Sequence, residues 1–170
     1  DRAPEIISPV NSLPPVVVAL FLMIIGIEAT LTLAARGLIG GPGGVGWRLD
    51  ALQTYAFSGP IFDWMLANTQ WPVDQLIRFV SYLFVHGSFT HALFVCVMLL
   101  ALGKMVGEVF SGFATLSVFI VSGVIGALAY ALMLDEQAPL IGGFSGVYGL
   151  IGAFTYLLWL RLGEMGAQQV

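Results

Sequence analysis

Charge is scarce in this chain. Only 9% of its 170 residues are charged while 58% are hydrophobic, for a mean hydropathy of +0.94. A soluble domain carries roughly 25% charged residues, so a water-soluble globule is excluded and the sequence reads as an integral membrane protein. Basic residues are fewer still, six against ten acidic ones. With no basic run, the electrostatic footprint that a nucleic acid requires is missing, and no nucleic-acid partner is expected. The single cysteine, Cys96, lies within an apolar run. Without a second, no internal disulfide can hold the fold. No basic stretch with a short apolar core stands at the start, so no signal peptide is expected.

What is abundant is apolar sequence in lengths that match a bilayer. A helix needs about 20 apolar residues to cross about 30 Å of hydrocarbon. Four stretches meet this: Pro15 to Ala35, Ser88 to Val106, Phe113 to Leu134 and Ile141 to Leu160. The expected fold class is all-α, a polytopic membrane helical bundle forming one domain over residues 1–170, with the lipid bilayer as its first partner. Between the first two stretches, positions 36–87 hold the flexible "GLIGGPGGVGWRLD" and then aromatics with sparse charge, among them Trp47, Tyr55, Trp64 and Trp71. Aromatic, half-apolar sequence favours the headgroup region, and about 50 residues is too long for a plain connector. This segment is expected to be a large interfacial loop with short helices.

Polar residues at membrane depth are costly and invite a functional reading. Glu28, in "IGIEATLTL", reads either as a proton or ion site or as a carboxyl bonded to a Ser or Thr of a neighbouring helix. Lys104 and Glu108 are four apart at a span end and are expected to pair at the interface. Ser122 and Gly126, in "SGVIGALAYA", suit close helix packing. His86 and His91 are five apart, whereas a two-histidine zinc site on a helix needs four. With no cysteine or carboxylate ligand nearby, no metal is expected. Two neutral imidazoles donating hydrogen bonds at the start of a helix fit better.

A serine stands between glycines in "LIGGFSGVYGLIGAF", Leu140 to Phe154. Taken together, "IRFVSYLFVHGSFTHALFV", a long second span, an uncharged third span and "GGFSGVYGLIGAF" resemble the rhomboid intramembrane serine proteases. The resemblance runs from the first loop to the fourth span. It implies a six-span fold of which four are visible, and hence a chain truncated at its C-terminus. It also implies a Gly-x-Ser-Gly nucleophile at the start of the fourth span. Ser145 would then be the nucleophile, His91 an oxyanion donor and His86 a supporting hydrogen-bonder. Gly143 and Gly146 would let the backbone approach closely, with Phe144 and Val95 at substrate-binding or close-packing positions. No cofactor is implied, since serine acyl transfer needs none. The implied ligand is a transmembrane helix of another protein, and the expected location is a bacterial inner (cytoplasmic) membrane.

Three departures bear on the chemistry. The family has an asparagine four residues after the second histidine, and Val95, which has no hydrogen to donate to an oxyanion, stands there. Aligning "YGLIGAF" with the family's fourth-span pattern places Phe144 at the nucleophile position and turns Ser145 away by about 100° of helical rotation. The family's general base is a histidine on the sixth span, and neither His86 nor His91 takes that place. The expected function is therefore a rhomboid-like membrane protein, catalytically impaired or silent. It would bind transmembrane helices of partner proteins or act as an accessory subunit of a larger membrane complex. The alternative is an active intramembrane serine protease working by a Ser-His dyad. A third reading, a transporter or channel built around Glu28, lacks the broken helix or repeated half that transport sites use.

Overall fold

The computed structural model describes residues 12–134 and 136–167. Among these, seven α-helices follow in chain order: α1 (Pro15–Ala35), α2 (Trp47–Tyr55), α3 (Gly59–Asn68), α4 (Val73–Ser81), α5 (Phe89–Val109), α6 (Gly112–Met133) and α7 (Phe144–Ala167). Of these, α1, α5, α6 and α7 are long and apolar enough to cross a bilayer, so the all-α membrane bundle and its four spans are as expected. In hydrocarbon every backbone polar group must be satisfied within the chain. These runs therefore become helices despite their many β-branched and glycine residues.

The helix ends follow from local chemistry. Pro15 starts α1, where its missing N–H is no loss. Ser88 and Ser111 are extended, and their hydroxyls accept from the N–H groups of His91 and Ala114, so α5 and α6 begin one residue from the bounds expected. The fourth span starts at Phe144 instead of the expected Ile141, because Gly142 holds φ at +90°, a conformation no right-handed helix contains.

The region 36–87 is built of short elements. A glycine-rich 3₁₀ turn, Gly41–Gly46, leads into α2, and α3 and α4 follow before a second 3₁₀ turn at Tyr82–Phe84. Phe57, Phe62, Phe79 and Tyr82 pack their rings together, the closest pair being Phe57 and Phe79 with centroids 4.8 Å apart. Phe57 also pairs backbone to backbone with Leu140, N–H to O at 3.1 Å and O to N–H at 2.9 Å, which ties the loop to the approach of α7. The long helices alternate in direction. The C-terminal ends of α1 and α6 and the N-terminal ends of α5 and α7 therefore gather at one face of the bundle, beneath this loop.

Helices α6 and α7 meet through a reciprocal pattern. Ser122 and Gly126 on α6 face Gly149 and Ser145 on α7. A methyl placed on Gly126 would lie 2.8 Å from the Ser145 Cβ and Oγ, and one on Gly149 would collide with the Ser122 hydroxyl. Each serine fills the gap left by the opposite glycine, which is how small residues bring helices together where lipid offers no hydrophobic drive.

Candidate functional site

Gly142 and Gly143 lead the chain into α7 and are held from two sides. The Gly142 N–H donates to the Tyr82 carbonyl at 2.9 Å, and the Gly143 N–H donates to His86 Nε2 at 3.2 Å. His86 is 1% exposed and lies in the extended link before α5. A neutral imidazole that accepts at Nε2 carries its proton on Nδ1. Beside the donor role expected for His86, the structure gives it an accepting one at Nε2, because a backbone N–H at a helix start points at it. Burial, and next the neighbouring His91, push the His86 pKa down from 6.5 to about 4, which keeps the ring neutral.

His91 lies against His86, with ring centroids 4.9 Å apart at 77°, and stacks on Phe144 at 5.6 Å and 17°. A methyl on Gly142 would be 2.5 Å from the His91 ring, so only glycine admits this close approach. Val95 is fully buried on α5, and its Cγ1 would be 2.8 Å from a methyl on Gly143. Gly146 faces the Phe119 ring of α6, where a methyl would be at 2.5 Å.

Ser145 faces elsewhere. It sits against Gly126 of α6, close to Tyr82, whose hydroxyl donates to the Gly123 carbonyl at 2.7 Å. Among the described residues no hydrogen bond joins Ser145 to His86 or His91. Of the residues singled out in the sequence, the structure brings His86, His91, Gly143, Phe144 and Val95 to one point. Ser145 is turned to the adjoining helix face. A nucleophilic serine needs a base in hydrogen-bond reach and donors aimed at the oxyanion. In this arrangement the ring of Phe144, not a hydroxyl, faces the histidine pair.

Glu28 is also part of this assembly. It is 1% exposed, and Arg48 at the start of α2 grips it with Nη1 to Oε2 at 3.0 Å and Nη2 to Oε1 at 2.6 Å. The same guanidinium donates to Thr32 Oγ1 at 3.1 Å and to the His86 carbonyl at 2.8 Å, and the Thr32 hydroxyl donates to Glu28 at 2.8 Å. The partner of Glu28 is thus an arginine of the loop and a threonine of its own helix, in place of the neighbouring helix expected. Both its oxygens are engaged, Oε1 by two donors and Oε2 by one, so the cluster acts as an anchor joining α1, the loop and the His86 segment. Sequence reading passed over Arg48. A partial signal existed: a lone carboxylate in an apolar span is too costly to leave unpaired, and the loop offers three arginines, Arg36, Arg48 and Arg78, of which sequence alone does not choose one. Lys104 and Glu108 lie 3.9 Å apart at the other end of the bundle. Among the described residues no three His, Cys, Asp or Glu side chains converge as metal ligands would.

A family model of the rhomboid domain matches residues 73–169, more than half of the chain. The chain belongs to the rhomboid family. It is accordingly a rhomboid-like, multi-pass membrane protein, and the match covers α4 to α7, the elements that carry both histidines and the serine motif. No curated protein and no solved structure matches this rhomboid-family chain.

Proposed function

We propose that this rhomboid-family membrane protein is catalytically silent or impaired and binds transmembrane helices of partner proteins, alone or as an accessory subunit of a larger membrane complex. The observation that carries the reading is the register of α7: Phe144 stacks on His91, while Ser145 is seated on Gly126. A second support is Val95, an apolar side chain packed over Gly143 where the family resemblance calls for an oxyanion donor. Helix binding is supported by a shallow outward-facing groove of about 250 Å³ between α6 and α7, rimmed by Ile125, Ala129 and Tyr148, with Ile125 and Tyr148 each more than half exposed. The Gly143-Phe144-Ser145-Gly146 tetrapeptide at the start of α7 favours the second reading, an active serine protease cleaving transmembrane substrates.

Fluorophosphonate labelling of the full-length protein in membranes separates the two, with Ser145→Ala and an active rhomboid protease run alongside. The silent reading expects no labelling of this protein while the active protease is labelled. Labelling that disappears in Ser145→Ala establishes an activated serine and overturns it.

A further inference from the structure

An apolar cleft of about 430 Å³ lies between α1 and the interfacial loop, away from the histidine pair. Met23, Ile27 and Leu31 recur every fourth residue along α1 and form one wall. Ala51 and Tyr55, likewise four apart, form the other on α2, and the buried Val85 lies at its base. Met23 and Tyr55 are each half exposed at its mouth. Met23 stands twelve residues from the end of α1, about 18 Å below it at 1.5 Å per residue, so the mouth of the cleft meets hydrocarbon.

The occupant follows from polarity and size. A buried water needs two to four polar partners. The only hydroxyls here are those of Ser81, whose proton is already given to the Tyr55 carbonyl at 2.8 Å, and Tyr55, which stands at the mouth, so the interior of the cleft offers little to hold water. No charged side chain lines the cleft, so an ionic group gains no counter-charge by entering. At about 10–12 Å across with its side chains, a helix would fill about 430 Å³ with roughly a single turn, whereas the volume lies in the range of small-ligand sites, about 300–1,000 Å³. The cleft is continuous with the bilayer-facing side of α1, where one kind of slender apolar chain is abundant. We propose that it binds a single acyl chain of a bilayer phospholipid, wedged between α1 and α2 with its headgroup outside. The loop is then fastened to α1 twice, by the Glu28–Arg48 pair and by lipid.

The test uses the full-length protein in phosphatidylcholine vesicles doped with a phosphatidylcholine that carries a diazirine on one acyl chain. After illumination, adducts are mapped to peptides. Adducts should concentrate on Met23, Ile27 and Tyr55 relative to Leu22, which is equally lipid-exposed on another face of α1. Filling the cleft by Ala51→Phe, or from the opposite wall by Ile27→Phe, should lower the Met23 adducts several-fold and leave those on Leu22 unchanged. Equal labelling of Leu22 and Met23 in the unaltered protein overturns the proposal without reference to any variant. So does Met23 labelling that persists in a folded, cleft-filled variant. Neither outcome bears on whether Ser145 is active.

Discussion

Removing Arg48 should loosen the whole loop between α1 and α5. The guanidinium makes four hydrogen bonds, two to Glu28 and one each to Thr32 and the His86 carbonyl. In Arg48→Ala the carboxylate of Glu28, 1% exposed, keeps only the Thr32 hydroxyl, and the His86 carbonyl loses its donor. Breaking a buried pair from one side costs about 3–5 kcal/mol, because the remaining charge is left without compensation. For a chain of 150–250 residues each kcal/mol moves the melting temperature by roughly 2–4 °C, so a fall of about 6–20 °C is expected. Glu28→Gln should cost less, about 1–3 kcal/mol, the range for a disturbed polar group: the Arg48 side chain is 19% exposed and keeps water, Thr32 and the His86 carbonyl. Replacing both residues by leucine should recover most of the loss, since apolar substitutes for a buried pair are often neutral. The assay is thermal unfolding of these proteins in one detergent together with the Arg48→Ala/Glu28→Gln double variant, which closes a double-mutant cycle with its two single variants and the parent. Additive losses, or an Arg48→Ala variant as stable as the parent, would refute the anchoring role.

The depressed pKa of His86 gives stability a pH dependence with a definite sign. The folded state takes up this proton near pH 4 and the unfolded chain near 6.5. Stability is therefore complete above 6.5 and is lost as pH falls towards 4, by on the order of 3 kcal/mol at 1.36 kcal/mol per pKa unit. A scan of melting temperature against pH should show this slope, and His86→Gln should flatten it; an unchanged slope rejects the assignment. Gly149→Ala drives a methyl into the Ser122 hydroxyl, with the Val118 carbonyl at 3.0 Å. Overpacking of this kind costs about 1–3 kcal/mol. Adding Ser122→Gly should return part of it, whereas strict additivity in unfolding measurements argues against the interlocked seam. Val95→Asn restores an amide where the family has one, yet fluorophosphonate labelling should stay absent while Ser145 faces Gly126. Labelling gained by that change alone would overturn the proposed silence.

The four spans were legible in the sequence because hydrocarbon makes each crossing a local matter. A window of about 20 residues must satisfy its own backbone, and composition alone reports whether it can. The small residues Ser122 and Gly126 carried their packing role for a related reason, since close approach in lipid has few other means. The family was readable as well, through the histidine stretch and the glycine-flanked serine.

The direction of Ser145 was a different kind of question. One step along a helix turns a side chain by about 100°, so it depends on where α7 starts. That start is set by Gly142 in a left-handed conformation and by bonds to the Tyr82 carbonyl and His86, the latter 57 residues away in sequence. The partner of Glu28 lay likewise beyond local reading, since Arg48 is 20 residues distant, across the turn between α1 and α2. Periodicity and composition report what each segment does alone. Which side chains meet at the bundle face depends on contacts between segments, and those exist only once the helices and the loop have packed.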